Sequence, residues 1–143
     1  MNRSIIATGA LLIIFILAGC KYWGIDYVPQ PQAITNKEQA KAILYKAFDE
    51  QPREYGAKEL VIDDEKITFV EKYSHRSIYY TTPDRYEMRK HLRTGLHCIF
   101  IYKGGITIYI VRCFTEPDAQ QFMNAFKFMQ DLNNKPAAQV VKK

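Results

Sequence analysis

The chain has 143 residues, of which 48% are hydrophobic and 24% are charged, and its formal net charge is +5. This composition is ordinary for a globular protein that can bury one modest core, which excludes a wholly disordered chain. The length allows one domain of about 100 residues with additional segments on either side.

The first twenty residues follow the pattern of a secretory signal. Arg3 provides a basic start, residues 5–17 are uncharged and apolar, and small residues lead into Cys20. The segment Leu-Ala-Gly-Cys at residues 17–20 resembles the lipobox of bacterial lipoproteins. The resemblance covers residues 1–20 only, and it implies removal of signal peptide 1–19, a lipid on the sulfur of Cys20 and export of the remainder.

The alternative interpretation of the same run is an uncleaved membrane anchor, although the charge-free stretch is a little shorter than the roughly 20 residues that span a bilayer. Both interpretations leave the domain outside the cytoplasm on a membrane. In lipoproteins of enteric bacteria an aspartate after the cysteine directs inner-membrane retention, and Lys21 is not an aspartate. We therefore expect the cell envelope, and the outer membrane if the cell has two. This location argues against nucleic acid as a partner.

Export also changes how the other two cysteines are interpreted. Cys98 and Cys113 form an even pair in a compartment that permits disulfides. A two-residue turn at Gly104 and Gly105 would put them in diagonal positions with Cβ atoms about 7 to 8 Å apart, which is too far for a bridge. A four-residue loop would put them directly opposite each other. A disulfide and a pair of half-buried thiols therefore remain alternatives.

The segment after the signal has no periodic pattern. Residues 20–34 include two prolines, and they predict an extended tether that carries the lipidated cysteine and lets the domain stand clear of the membrane. A helix is predicted next, starting at a capping box of Thr35 and Glu38. Its apolar residues recur at helical spacing until Pro52 ends it.

Strand-like alternation follows the helix. Residues 60–62 and 67–71 predict a hairpin around an acidic turn, and residues 77–82 predict a further strand. Residues 84–94 scatter their apolar side chains among basic ones, which fits either a short helix or an irregular crossing.

The strongest local pattern is a hairpin formed by residues 97–102 and 106–114 around a glycine pair. Its isoleucines are predicted to share one core-facing surface, which comprises Ile99, Ile101, Ile106, Ile108 and Ile110. Because the opposite face is also aromatic, we expect the hairpin to be central or covered.

A last helix is predicted after Thr115, whose side chain can cap it, with Pro117 in the first turn. The predicted domain is therefore residues 35–134, followed by a disordered tail at 135–143. Its class is α+β, an antiparallel sheet of about five strands with an N-terminal helix and a C-terminal capping helix. A hairpin that leads into an amphipathic helix with Phe122 and Phe126 resembles the end of a pleckstrin-homology-like domain over residues 58–132, although that family has seven strands.

The titratable side chains do not follow the spacing of known catalytic or metal-binding motifs. His75, His91 and His97 lack metal-ligand spacing, and the two cysteines are not a C-x-x-C pair. Cys98 follows His97 directly, so on a strand the two side chains would point to opposite faces. The sequence thus predicts no catalytic residue, no metal site and no cofactor.

Charge is concentrated in one region, because residues 66–103 hold eight Lys or Arg against three Asp or Glu. The densest part contains Arg85, Arg89, Lys90 and Arg93. This basic patch suggests contact with anionic lipid headgroups or with an acidic protein surface. The alternative is a solvated charged face that aids solubility.

These patterns favour an envelope lipoprotein, held to the membrane through Cys20, whose domain is a non-enzymatic binding or assembly module for a protein partner or envelope component. The second hypothesis is a small envelope enzyme that acts on lipid or cell-wall material with a site assembled from residues distant in sequence.

Overall fold

Two helices and seven strands form over the residues that the computed structural model describes, which are 21–50 and 57–135. The strands are β1 (Tyr22–Ile25), β2 (Glu59–Ile62), β3 (Lys66–Val70), β4 (His75–Tyr79), β5 (Arg85–His91), β6 (His97–Lys103) and β7 (Ile106–Cys113). The helices are α1 (Lys37–Asp49) and α2 (Glu116–Asn134), and a short 3-10 turn lies at Pro31–Ala33. The predicted α+β class is confirmed. The signal residues 1–19, Cys20 and the predicted tail beyond residue 135 lie outside the described residues.

The strands form two antiparallel sheets. One has four strands in the order β1-β5-β6-β7, and the other has three in the order β2-β3-β4. The sequence pattern predicts about five strands in one sheet, and the structure differs because β1 and β5 are additional strands. In β5, charged side chains alternate with apolar ones, and β1 is only four residues long, so neither has a strong strand pattern.

Residues 21–34, predicted as an extended tether, pack on the domain instead. Tyr22 in β1 pairs with His91 in β5, and the hydroxyl of Tyr27 donates to Oδ1 of Asn124 in α2 at 2.9 Å. Ile34 is buried in the main core. The tether prediction is wrong for these residues, because β5 offers an unpaired edge to which a short strand can bond.

Residues 84–94, for which the pattern predicts a short helix or an irregular crossing, contain β5. Tyr86 and Met88 face the main core, whereas Arg85 and Arg89 lie on the opposite face of the strand. This is the alternation of a strand, but only Met88 of β5 is fully buried, so the apolar signal is weak.

The predicted N-cap residue is confirmed for α2, whereas the N-cap of α1 lies one residue later than predicted. Thr115 caps α2 as predicted, accepting from the backbone N–H of Asp118 at 3.3 Å. At α1 the cap is Asn36, whose side chain accepts from the N–H of Gln39 at 2.8 Å, rather than Thr35. A capping arrangement is still formed one residue later, because Oε1 of Gln39 accepts from the N–H of Thr35 at 2.9 Å.

The main core lies between the two sheets and the helices. The helix α2 packs on the inner face of the four-stranded sheet through β6 and β7, and α1 packs against α2 and β2. The predicted apolar side of α2 is confirmed, since its residues are fully buried; they are Ala119, Phe122, Met123, Phe126 and Met129. Among the described residues no helix is both long and apolar enough to cross a bilayer.

The β6–β7 hairpin has the predicted two-residue turn, with Lys103 paired to Ile106. Gly104 and Gly105 have φ angles of +56° and +78°, which a side chain would strain. Between Tyr102 and Ile101 an irregularity shifts the register by one residue, so that Ile101 pairs with Tyr109. Such a shift moves every later side chain of β7 to the other face.

The register shift corrects the predicted isoleucine surface. Tyr109 and Val111 face the main core, whereas Ile110 packs on the outer face of the sheet. Ile106 is also not a core residue, because 71% of its surface is exposed. The prediction holds for Ile99 and Ile101, which are fully buried.

Candidate binding face of the four-stranded sheet

The outer face of the four-stranded sheet carries a second, smaller apolar cluster. Its buried residues are Leu96, Cys98, Phe100 and Tyr102, and Tyr22 and Ile110 pack against them. None of these residues comes from α1 or α2, which contribute to the main core instead. The cluster is therefore covered by side chains of the sheet itself.

Arginines provide much of this cover. The guanidinium carbon of Arg85 lies 4.5 Å from the ring centroid of Tyr102, and that of Arg89 lies 4.8 Å from the centroid of Phe100. These distances are typical of cation–π stacking. The two arginines of the predicted patch are thus spread over aromatic rings rather than extended into solvent.

The same two arginines share one carboxylate. Arg89 Nη2 donates to Glu87 Oε2 at 2.6 Å and to the Tyr102 hydroxyl at 3.0 Å, and Arg85 Nη2 lies 3.4 Å from Glu87 Oε1. The hydrogen bonds from Arg89 lower the pKa of Glu87, and its charge and that of Arg85 add to the effect. Arg85 and Arg89 are therefore partly neutralised within the strand.

Lys90 and Arg93, the other two members of the predicted patch, lie apart from this network. Lys90 is exposed and pairs with Trp23 of β1, on the opposite side of the sheet from Arg89. Arg93 lies in the β5–β6 connection, which is also exposed. The structure thus distributes the four basic residues over two faces and a loop.

A cavity of about 370 Å³ opens beside the aromatic cluster. Its lining residues come from β1, from the end of β5 and the loop after it, and from β6 and β7; they are Tyr22, His91, Arg93, Thr94, Leu96, Cys98 and Arg112. The two guanidinium groups of Arg93 and Arg112 have no carboxylate partner among the described residues. Two uncompensated cations therefore border one small cavity.

The His91 ring is held in one orientation at the rim of this cavity. Its Nδ1 accepts from the backbone N–H of Thr94 at 3.1 Å and lies 2.8 Å from the Thr94 hydroxyl. An Nδ1 that accepts a hydrogen bond leaves the proton of the neutral ring on Nε2. The edge of the Tyr22 ring packs against His91, with centroids 4.9 Å apart. His91 can thus add a hydrogen-bond donor to the two arginines.

Cys98 contributes a buried thiol to the cavity lining. Burial raises the pKa of this thiol, and the neighbouring charge of Arg112 only partly opposes the effect. Because the thiolate is the nucleophilic form, a raised pKa favours an inert thiol. The cavity is therefore better suited to reversible binding than to covalent chemistry at sulfur.

The two cysteines do not meet. The shifted register pairs Cys98 with Arg112 and Cys113 with His97, which puts the thiols on opposite faces of the sheet. Both are free and buried, and burial raises the pKa of Cys113 to about 12. The sequence left a disulfide and a pair of half-buried thiols as alternatives. The structure has two free thiols, and both are fully buried.

A second cavity of the same size is less suited to an anion. It lies beside β7 and is bordered by Arg76, Arg112 and Glu71. Arg76 is already engaged, because its Nη1 donates to the carbonyl of Ile108 at 3.3 Å and its guanidinium lies 5.7 Å from the ring centroid of Tyr109. The carboxylate of Glu71 further offsets the positive charge.

Arg112 and Tyr22 are the site residues that sequence reasoning missed. Arg112 stands in a strand dominated by isoleucines, and Tyr22 stands in the predicted tether. A signal for Arg112 exists, because a charged residue inside an apolar strand must reach solvent or a partner. Nothing in the spacing indicates that it would lie beside Arg93.

The three histidines lie in different strands, and His97 is buried with its Nε2 3.8 Å from Glu116 Oε2. Over residues 21–50 and 57–135, no group of three His, Cys, Asp or Glu side chains could hold a metal ion. No protein-family model, curated protein or solved structure matches this chain.

Proposed function

We propose that this protein is a membrane-anchored envelope protein whose domain binds an acidic segment of a partner protein, without catalysing a reaction. The observation that carries the proposal is the cavity of about 370 Å³ at which Arg93 and Arg112 lie without a carboxylate partner from residues 21–50 or 57–135. The lipid anchor at Cys20 and the location in the envelope, outer membrane included, follow from the signal pattern and are part of the proposal.

The composition of the face supports a protein partner. Binding surfaces between proteins are enriched in tyrosine, phenylalanine and arginine, and those residue types cover this face. Arginine forms paired hydrogen bonds with a carboxylate, and such charge-assisted bonds contribute more than neutral ones. An Asp or Glu side chain of the partner would thus find two donors, and Nε2 of His91 would be a third.

Arg85 and Arg89 take a different part in this proposal. Because Glu87 already binds both, they pack on the aromatic rings and hold them in position rather than contact the partner directly. Their positive charge still attracts an acidic partner at longer range. The cavity arginines then provide the direct contacts. Anionic lipid headgroups are the other class of partner that the basic patch suggests, and Lys90, which lies on the opposite side of the sheet from Arg89, is available to them.

The order of the strands and of the last helix suggests a relation at the level of the fold. The meanders β2-β3-β4 and β5-β6-β7, followed by the closing helix α2, are similar in layout to a pleckstrin-homology-like domain. We propose that relation for the fold, while α1 and the pairing of β1 with β5 depart from it. A shared layout carries no function by itself.

The alternative of a small envelope enzyme has less support. Among the described residues that line the cavity, the nucleophilic groups are the buried thiol of Cys98, the hydroxyls of Tyr22 and Thr94, and the His91 ring. Burial raises the pKa of the thiol, and the Thr94 hydroxyl and His91 Nδ1 are already within hydrogen-bond distance of each other. An enzyme would be favoured if deletion removed a cell-wall or lipid-processing activity that a cavity variant failed to restore.

Crosslinking and pull-down of the full-length protein from cells tests the proposal. We expect Arg93→Glu/Arg112→Glu to reduce the captured partner roughly tenfold or more, because each charge-assisted hydrogen bond contributes about 1.5 to 3 kcal/mol. The matched control is Lys46→Glu/Lys103→Glu, which reverses two exposed charges outside the cavity. Circular dichroism of both variants verifies folding.

Equal capture by the wild type and both variants would contradict the assignment of the cavity. Failure of the wild type to retain any protein partner after crosslinking would contradict the binding role itself.

A further inference from the structure

The structure leaves almost no chain between the predicted anchor and the folded domain. The strand β1 begins at Tyr22, two residues after Cys20. Consecutive Cα atoms are about 3.8 Å apart, so the start of β1 lies within roughly 8 Å of the anchoring residue. A free tether over residues 20–34 would reach several times further. Whatever surface surrounds the start of β1 must therefore lie at the membrane.

That surface has a distinct composition. Trp23 pairs directly with Lys90 across the β1–β5 ladder, and the backbone N–H of Leu92 donates to the carbonyl of Lys21 at 3.0 Å, which extends the ladder by one step. Directly opposite residues and alternate residues share one side of a sheet. Two cations and two apolar residues thus form one patch, the Trp23 corner, which consists of Lys21, Trp23, Lys90 and Leu92.

The Trp23 corner is open to solvent in the domain. The exposed fraction is 69% for Trp23 and 56% for Leu92, and Lys21 and Lys90 are exposed as well. Neither lysine has a carboxylate partner within salt-bridge distance among the described residues. Exposed apolar side chains that lie together and are flanked by polar or charged ones are typical of a surface that contacts a membrane or a partner.

We infer that the Trp23 corner is inserted in the headgroup layer of an anionic bilayer and fixes the orientation of the domain on the membrane. Tryptophan is enriched at the level of the headgroups, and lysines near the surface are attracted to anionic lipids. The headgroup layer is about 5 to 7 Å deep on each side, which is comparable to the distance from the anchor to β1.

The same placement keeps the cavity available. Tyr22 and His91, which line the cavity, alternate with Trp23 and Lys90 along the two strands and so face the opposite side of the sheet. The inference rests on the membrane anchor of the proposed function but not on the cavity. It predicts that lipid and partner bind to different sides of the β1–β5 pair.

Trp23 is the only tryptophan of the chain and reports on its own surroundings. The experiment reconstitutes the full-length protein into vesicles of equal parts phosphatidylcholine and phosphatidylglycerol. Quenching of Trp23 fluorescence is then measured with brominated lipids and with aqueous acrylamide. We expect brominated lipid to quench Trp23 and acrylamide to be excluded from it.

The test variant is Lys90→Glu/Leu92→Asn, which leaves the tryptophan and the residue next to Cys20 unchanged. Each basic residue at an anionic surface contributes roughly fivefold in partitioning, so charge reversal should lower the docked fraction of the domain by roughly tenfold or more. The matched control is Lys103→Glu/Ile106→Asn, an exposed pair at the opposite end of the same sheet. This control should retain the wild-type quenching.

Wild-type protein whose Trp23 remains open to acrylamide, or that does not float with the vesicles, would overturn the inference. A Trp23 shielded from both quenchers would also overturn it, because a protein contact would then cover the corner. Exposure of Trp23 to acrylamide, or its shielding from both quenchers, would leave capture of a partner through Arg93 and Arg112 unchanged, so these outcomes overturn the inference alone. Failure to float would instead contradict the membrane anchor that both proposals share.

Discussion

Arg89 joins an ion pair to an aromatic surface through a single side chain. Its guanidinium binds Glu87 and the Tyr102 hydroxyl at its edge, and it stacks on Phe100 with its face. An ion pair that is about one third exposed contributes little alone. Removal of Arg89, however, also uncovers a phenylalanine that the arginine stem shields from water.

We therefore expect Arg89→Ala to lower the free energy of unfolding by about 1 to 2 kcal/mol, combining the cation–π contact with the partly exposed ion pair. Arg93→Ala removes a side chain that has no hydrogen bond or ion pair within the described part of the chain, and it should change the free energy of unfolding by less than about 0.5 kcal/mol. Urea unfolding of both variants provides the comparison. Equal stability of the two variants would show that the Arg89 contacts contribute nothing.

The acidic turn between β2 and β3 connects three elements through Asp64. Its carboxylate binds Lys37 at 2.7 Å and Lys41 at 2.8 Å, both on α1, and its carbonyl accepts from Asn133 Nδ2 of α2 at 2.9 Å. Hydrogen bonds from Lys37 and then Lys41 lower the pKa of Asp64 from its ordinary value to about 2. The charged form thus binds α1, and the protonated form does not.

Because the pKa of Asp64 is lowered by folding, its ion pairs stabilise the folded state less as the pH falls. The stabilisation from the Asp64 ion pairs is fully present above the ordinary carboxyl pKa near 4. It is lost as the pH falls toward 2, because in this range the unfolded state binds a proton and is thereby favoured relative to the folded state. We expect Asp64→Asn to flatten the pH dependence of unfolding between about pH 4 and pH 2. Urea midpoints across this range test it. The control is Asp49→Asn on α1, whose carboxylate forms no ion pair with the residues that the structure describes.

An unchanged acid dependence in Asp64→Asn would mean that the lysine contacts do not form in solution. A parallel loss in the control variant would assign the effect to net charge instead.

The elements with strong apolar patterns were predictable, and those with mixed faces were not. The helix α2 and the turn of the last hairpin follow from caps, spacing and the glycine pair. The strand β5 does not, because arginines that stack on aromatic rings occupy positions where a pattern expects buried apolar residues. The shift after Tyr102 inverted the faces of β7, and one extra residue in a strand has no local signal in isoleucine-rich sequence.

At the scale of the whole molecule, the candidate site depends on pairings between distant residues. The β5–β6 and β6–β7 ladders together bring Arg93 and Arg112 to one cavity, and Tyr22 joins them only because β1 pairs with β5. The basic patch read from the sequence therefore contained one cavity residue, Arg93. Its neighbours Arg85 and Arg89 proved to be engaged by Glu87.

The docking of residues 21–34 bears on the proposed membrane anchor. If Cys20 carries the lipid, the domain has little freedom to move away from the bilayer, because β1 begins at Tyr22. The Trp23 corner and the cavity lie on opposite sides of the β1–β5 pair. A partner would then approach along the membrane surface rather than from a distance.

Both proposals require the chain to be held in the membrane through Cys20, and the intact mass of the protein purified from membranes measures this directly. We expect a chain that starts at Cys20 and carries the added mass of a lipid on its N-terminal peptide. In Cys20→Ala this added mass should be absent. An unmodified chain recovered in the aqueous fraction would contradict it.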